Sequence, residues 1–431
     1  MTAAADERLQ AAVAAHTAAL RRTGVGPQFR TRPPEAAGPS GRTVVGEPDA
    51  LAHLLGGDWL ETPAGRVFVR DEWYALDHRH GIRALGDALA VTPAGARLLA
   101  PGHGVAPARY AYFDIETTGL SSGAGTYVVL AGLGSFERPA PTLPLSFRVR
   151  QFFLADVGAE RAMLAALVDE LARFDGLVTY NGRSFDVPVV ETRLTLARLR
   201  PPWRDGVHLD LLHAVRRLYR HRLPGCRLAE AEGRLLRFER PDDMPGWLVP
   251  RAYFDYLRAG RLAPLRPLFR HNRDDVLSLA TLVAHLGSLV DHAHAQAAED
   301  ALAIARWLER SDEAVARALY ERTLPLVEGA SDWPWAAARL ARLLRRAGRF
   351  SDAAALWRRL WLECRDAHAA LDLAKHLEHR ERNFAEAAAL VSELRARERF
   401  DADDLTRREA RLRRRCAARR ASSERASNAA G

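Results

Sequence analysis

Two acids interrupt YAYFDIETTGL, Tyr110 to Leu120, a run otherwise composed like a β-strand. In an extended chain successive side chains alternate between faces, so Asp114 and Glu116 point one way while Phe113 and Ile115 point the other. Two unpaired carboxylates a few Å apart on a buried strand repel each other and lose hydration, unless a cation or a shared proton compensates. Two further acids stand downstream where the chain can fold back. In YNGRSFDVPVVETRL, Tyr180 to Leu194, a strand ends near Asn181 and Asp186 sits where a helix begins. In HNRDDVLSLATLVAHL, His271 to Leu286, helical spacing carries Asp275 onto Leu279, Leu282 and Leu286, whereas Asp274 leads to Ser278, Thr281 and His285. Asp275 is therefore expected on the core side. His271 stands one turn before it on the same face.

Asp114, Glu116, Asp186 and Asp275 form an all-oxygen set suited to hard divalent cations such as Mg²⁺ or Mn²⁺. Two such ions about 3.5–4 Å apart can clamp the attacking and leaving oxygens of a phosphodiester during in-line displacement. Without metal, the cluster should show raised carboxyl pKa values.

FDIETTGL, NGRSFD and HNRDDVLSL resemble the three exonuclease motifs of the DEDD (DnaQ-like) group in the ribonuclease H-like superfamily. HLDLLHAVRRLYR from His208, CRLAEAEGRLL from Cys226 and RPDDMPGWLVPRAYFDYLRAG from Arg240 are similar to its YprB-type branch, in which a ribonuclease H-like domain is often joined to tetratricopeptide-like repeats. The resemblance covers about 45–395. It implies that Asp114, Glu116, Asp186 and Asp275 ligate two divalent ions, and that His271 positions or deprotonates the attacking water. The four-residue spacing from His271 to Asp275 is that of the Tyr-type members; the His-type members place their His one residue further away. The expected function is a metal-dependent nuclease, a 3′ to 5′ exonuclease acting on DNA or RNA. The alternatives are a non-catalytic nucleic-acid-binding scaffold or a metal-dependent endonuclease.

Other residues admit plainer readings. Asn181 either caps a turn or orients substrate near the metals, and Asp210 could support the metal ligands from behind, although a helix N-terminal acid is the favoured reading. GLSSG, Gly119 to Gly123, matches the nucleophile-elbow pattern around Ser121, but turn and strand follow where that elbow needs a helix. His78, His80, His292 and His294 lack a matching third ligand and read as surface residues. Tyr219 and Phe238, interleaved with arginines between Arg216 and Arg240, could stack a base, although the solvated faces of two amphipathic helices are the favoured reading.

The elements that must position these residues form an α/β arrangement. RYAYFDI, TYVVLAGLGSF and LSFRVRQFFL read as three strands, AERAMLAALVDELARF as a helix and GLVTYN as a fourth strand. A ribonuclease H-like mixed sheet flanked by helices is expected over 108–290. An Ala-rich helix and Pro/Gly linker (1–42) and a small mixed α/β extension (43–107) precede it. An all-α repeat domain is expected over 299–398, because LARLLRRAGRFSDAAALWRRL from Leu340 matches AKHLEHRERNFAEAAALVSEL from Ala374 at an offset of 34 residues, the tetratricopeptide period. A protein partner could dock on these repeats. The Arg-rich tail, 399–431, is expected to be a frayed helix or, more simply, disordered.

Composition sets outer bounds. The 431 residues carry 63 basic and 54 acidic side chains, net +9, with arginine supplying nearly all the basic ones. That charge suits a polyanion but fits a general Arg bias equally well. Cys226, Cys364 and Cys416 have no ligand spacing, which argues against a disulfide framework or a cysteine-bound metal. No run approaches membrane-spanning length and the first residues do not read as a signal peptide, so a cytoplasmic protein without membrane association is expected.

Overall fold

The computed structural model describes residues 48–100, 106–119, 125–203, 206–292, 296–397 and 402–429, with Glu7, Arg8, Ala11 and Ala15. Ser121 and His294 fall outside them, as does most of 1–42. The chain divides into two compact units, Met1–His292 and Ala293–Gly431.

In the first unit, helix α1 (Pro48–Leu55) leads into a hairpin of β1 (Asp58–Thr62) and β2 (Gly65–Ala75), joined by a turn at Pro63 and Ala64. A small hairpin, β3 (Arg79–His80) with β4 (Arg83–Ala84), and α2 (Pro93–Leu99) follow. The three expected strands are β5 (Tyr110–Thr117), β6 (Val128–Glu137) and β7 (Ser146–Phe153). Then come α3 (Glu160–Leu171), β8 (Gly176–Thr179), α4 (Asp186–Leu196), β9 (Val207–Asp210), α5 (Leu211–Tyr219) and α6 (Leu228–Ala231), which runs on as a π-helical turn to Leu236. Helices α7 (Val249–Ala259) and α8 (Leu265–Gly287) complete the unit.

Seven strands form one mixed sheet in the order β1-β2-β7-β6-β5-β8-β9. β5 pairs antiparallel with β6 and parallel with β8, and β8 pairs parallel with β9. The hairpin from the 43–107 section is not a separate layer, since β2 pairs antiparallel with β7 and extends this sheet. Phe113 and Ile115 enter a buried core with Leu164, Leu167 and Val190, as strand alternation requires.

Helix α8 crosses β5, β6 and β7 at close range. Two glycines of β6 permit this: a Cβ at Gly132 would lie 2.2 Å from Asn272 Oδ1, and one at Gly134 would lie 2.6 Å from Val276 Cγ1. The β3–β4 hairpin packs on the same helix, which corrects the surface reading of His80. That residue is buried, and its Nε2 lies 2.7 Å from Ser278 Oγ. Burial lowers its pKa to about 3. His78 is half-buried against the Tyr74 ring, while His292 is exposed.

The second unit is helical: α9 (Ala298–Leu308), α10 (Glu313–Thr323), α11 (Trp333–Arg346), α12 (Phe350–Cys364), α13 (Ala367–His376), α14 (Phe384–Arg395) and α15 (Ala402–Ala429). The 34-residue offset holds in three dimensions. Gly348 and Arg382 both adopt left-handed backbone, φ 77° and 55°, two residues before Phe350 and Phe384 open their helices. Ala353 and Ala387, Trp357 and Val391, and Leu360 and Leu394 fill equivalent buried positions. The tail expected as a frayed helix or disorder contains the packed helix α15 instead, because Leu405 and Leu412 are buried and Arg408 and Arg411 pair with the buried Glu378. Among the described residues, no helix is long and apolar enough to cross a membrane.

Candidate metal centre

Strand β5 delivers Asp114 and Glu116 to one face at its carboxyl end, where β8 has stopped pairing with it. The last β5–β8 pair is Tyr112 with Val178, so the Ile115 amide finds another acceptor, Asp186 Oδ1 at 3.2 Å. Asp186 is the first residue of α4, and the turn before it explains its place. Asn181 adopts φ 66°, and a Cβ at Gly182 would strike Thr179 Oγ1 at 2.4 Å. Asp210 pins this turn by accepting from the Asn181 and Arg183 amides, at 2.8 and 3.1 Å, while capping α5 through the Leu212 amide at 3.1 Å. The helix N-terminal reading of Asp210 is thus accurate, but the same carboxylate also fixes the turn that carries Asp186.

Asp114 is held by a row of side chains running across the sheet. Strand register aligns Asp114 with Gly132, Gly132 with Gln151, and Gln151 with Arg70. Arg70 Nη1 donates to Gln151 Oε1 (3.2 Å), Gln151 Nε2 donates to Asn272 Oδ1 (2.9 Å), and Asn272 Nδ2 donates to Asp114 Oδ2 (2.9 Å). Asn272 is fully buried and reaches the strand through the space that Gly132 leaves.

Helix α8 places His271 and Asp275 beside these acids. His271 Nε2 lies 3.7 Å from Glu116 Oε1 and 3.6 Å from Asp275 Oδ2. Its Nδ1 lies 2.7 Å from Asp243 Oδ1 and 3.2 Å from Arg240 Nη1. The shorter, charge-assisted contact favours the proton on Nδ1, donated to Asp243, which leaves the Nε2 lone pair facing the acids. Arg240 ion-pairs with Asp275 and, through two nitrogens, with the buried Glu232. Glu232 in turn accepts from Ser278. Asp274, the neighbour that spacing set aside, is buried and paired with Arg273.

Electrostatics mark the cluster as strained without a cation. Burial first, then the charges of Asp275, Asp186 and Glu116, push Asp114 well above the usual carboxylate range, against the hydrogen bond from Asn272. Burial raises Glu116 to about 8, aided by Asp275 and Asp186 and opposed by His271. Burial raises Asp186 to about 7, with Asp210 and Asp275 adding to the shift and backbone amides opposing it. Burial disfavours the charged form of His271, but Asp275, Glu116 and Asp243 outweigh it and raise its pKa. Among the described residues, Glu116 Oε1 is buried without a hydrogen-bond partner. An oriented, dry and unsatisfied carboxylate oxygen among other acids is the donor a hard cation needs. The residues present therefore fit a divalent ion. Glu116, His271 and Asp275 offer ligand atoms all within 4.8 Å of one another, a spacing that would suit a cation.

The structure gathers Asp114, Glu116, Asp186, His271 and Asp275 at one strand end. Asn181 lies on the adjoining turn, exposed, with its backbone amide on Asp210. Sequence reasoning missed Arg240, Asp243, Gln151 and the role of Asn272. The signals were faint: a buried-strand Gln, and Asn272 one residue beyond His271. The base-stacking reading of Tyr219 and Phe238 does not hold, since Tyr219 is buried against His285 and the Phe238 ring lies 3.7 Å from that of His80.

A mixed sheet whose central strand carries paired acids, met by acids from the helix after β8 and from a helix crossing the sheet, defines a ribonuclease H-like domain. The family model described as RNase_H superfamily matches residues 111–287, and the chain belongs to that superfamily. It is 32% identical over 339 residues to the uncharacterized protein YprB of Bacillus subtilis (strain 168), an alignment spanning 75% of this chain and 79% of that protein.

Proposed function

We propose that the chain is a divalent-metal-dependent nuclease, acting as a 3′ to 5′ exonuclease, in which Asp114, Glu116, Asp186 and Asp275 hold two Mg²⁺ or Mn²⁺ ions. The observation carrying this reading is the unsatisfied, buried Glu116 Oε1 among carboxylates whose pKa values are raised. Cations bound there would supply the positive charge that in-line displacement at phosphorus requires. The chain's own residues do the rest. Asp243 holds the Nδ1 proton of His271, so Nε2 is free to take a proton from an attacking water. Asn272 keeps Asp114 in a single orientation. Asn181, on the turn beside Asp186, is assigned to orienting substrate.

One observation favours the non-catalytic scaffold instead: Arg240 already compensates Asp275. The charge of Arg240 and that of His271 only partly offset Glu116, whose pKa stays raised, as do those of Asp114 and Asp186, and such a cluster would repel a nucleic acid that it only had to bind. The helical repeats of the second unit, with their tetratricopeptide-like period, are assigned to docking a protein partner, and a cytoplasmic location accompanies this function.

The test is incubation with single- and double-stranded DNA and RNA, labelled at either end, with Mg²⁺, Mn²⁺ or chelator. A 5′-labelled strand should shorten stepwise to a ladder while a 3′-labelled strand releases mononucleotide. Internal fragments at early times would point to the endonuclease. Cleavage undiminished by chelator would overturn the metal assignment.

A further inference from the structure

The segment after Arg240 links the candidate centre to an exposed surface. Asp243 touches His271, and the Asp242 carbonyl accepts from Arg270 Nη2 at 2.8 Å, so residues 240–243 run along the edge of the acids. Four residues on, Trp247 is 70% exposed, in the short 3₁₀ turn Gly246–Leu248 that opens into α7. A tryptophan ordinarily hides most of its ring, so this exposure needs an explanation.

Trp247 is also not isolated. Positions 247, 251, 254 and 258 follow helical spacing, and all four residues, Trp247, Arg251, Phe254 and Arg258, are exposed. Val249, Ala252, Tyr253 and Tyr256 on the opposite face are buried. Arg258 lies over the Phe254 ring, 5.4 Å from its centroid. Asp255, one turn from Arg251, pairs with Arg261 at 3.6 Å. Among the described residues, neither Arg251 nor Arg258 has a carboxylate partner. The face therefore alternates flat aromatic rings with uncompensated guanidinium groups. Rings stack on bases of any sequence, and guanidinium groups meet phosphates, so the alternation matches the repeat of a single-stranded nucleic acid.

We infer that this face of α7, led by Trp247, is the track along which a single-stranded nucleic acid enters the acid cluster. Only the direction of travel rests on the nuclease reading; the binding claim does not. The acids supply no affinity for a polyanion by themselves, so a strand needs such an anchor outside them. Four residues span at most about 14 Å, which places Trp247 within a few nucleotides of the segment beside His271.

The test separates binding from cleavage. In full-length Asp114→Ala protein with Mg²⁺, anisotropy of a fluorescein-labelled 15-nucleotide single strand reports the dissociation constant, before and after adding Trp247→Ala or Arg251→Ala/Arg258→Ala. Trp247→Ala should weaken binding by roughly tenfold or more, as loss of a base–aromatic stack does. The double Arg variant should weaken it and flatten its dependence on salt. Melting temperatures should not move, since these side chains are exposed. In protein with Asp114 intact, Trp247→Ala should raise KM for long strands far more than it lowers kcat. Unchanged affinity in both variants, with the fold intact, would overturn the track and leave the face to a protein partner. If the parent cleaves nothing yet Trp247→Ala still weakens binding, the nuclease reading fails and the track stands.

Discussion

At the residue scale, protons and the proposed metal ions would compete for the same oxygens. The folded-state pKa values of Asp186 and Glu116, about 7 and about 8, lie above their ordinary values of 3.8 and 4.5. Protonation therefore favours the folded state: this contribution is fully present below about pH 4 and is lost as pH rises through 7 and 8. The metal-free protein should accordingly melt at progressively lower temperature between pH 5 and pH 8. Mn²⁺ should raise the melting temperature more at pH 8 than at pH 6, and an equal shift at both would contradict the assignment. Glu116→Gln removes one buried charge while keeping the shape, so the metal-free variant should be more stable by roughly 2 kcal/mol at pH 8, while activity falls at least about 100-fold. A destabilised variant would show that Glu116 has a structural partner instead. Asp243→Asn weakens the side-chain hydrogen bond that helps raise the His271 pKa, so the lower limb of the pH–rate profile should move to lower pH as kcat falls. An unmoved limb would remove Asp243 from the account. Asp114, Glu116, Asp186 and Asp275 were legible because each lies in a recognisable local pattern. Asp243 was not, because its meaning comes from His271, which only the tertiary fold brings to it.

At the scale of elements, the site depends on how closely α8 approaches β6. The strands of the central sheet were legible as apolar, strand-like runs between turns, and the helical character of the second unit from its 34-residue repeat. The Arg70–Gln151–Asn272–Asp114 row was not, because it depends on strand register, and register joins residues far apart in sequence. Gly132 is the position where this can be checked. A methyl group there would meet Asn272 Oδ1 at 2.2 Å and push it away from Asp114. Gly132→Ala should cost roughly 1–3 kcal/mol of stability by overpacking, read as a lower denaturant midpoint, and should reduce activity beyond the loss of folded protein. Full activity in the folded fraction would show that Asp114 does not need Asn272. The expectation for α15 went astray for a related reason: an Arg-rich composition reads as solvated, yet Leu405 and Leu412 anchor the helix and Glu378 receives two of its arginines.

At the scale of the whole molecule, the chain forms two compact units, the first carrying the acids and the second helical. If each melts on its own, calorimetry should resolve two transitions, of which only the one belonging to 1–292 moves with Mn²⁺. A single transition shifting as a whole would mean that the units are thermodynamically coupled. The central claim, that four acids hold divalent ions used to hydrolyse phosphodiesters, has a more direct test. Mn²⁺ bound per chain can be counted by electron paramagnetic resonance while hydrolysis of an end-labelled single strand is followed in the same titration, for the parent and for Asp114→Asn. The account predicts two bound ions in the parent, hydrolysis appearing as the second binds, and loss of both the second ion and the hydrolysis in the variant. Hydrolysis that persists in chelator, or a variant matching the parent in ions and rate, would contradict it.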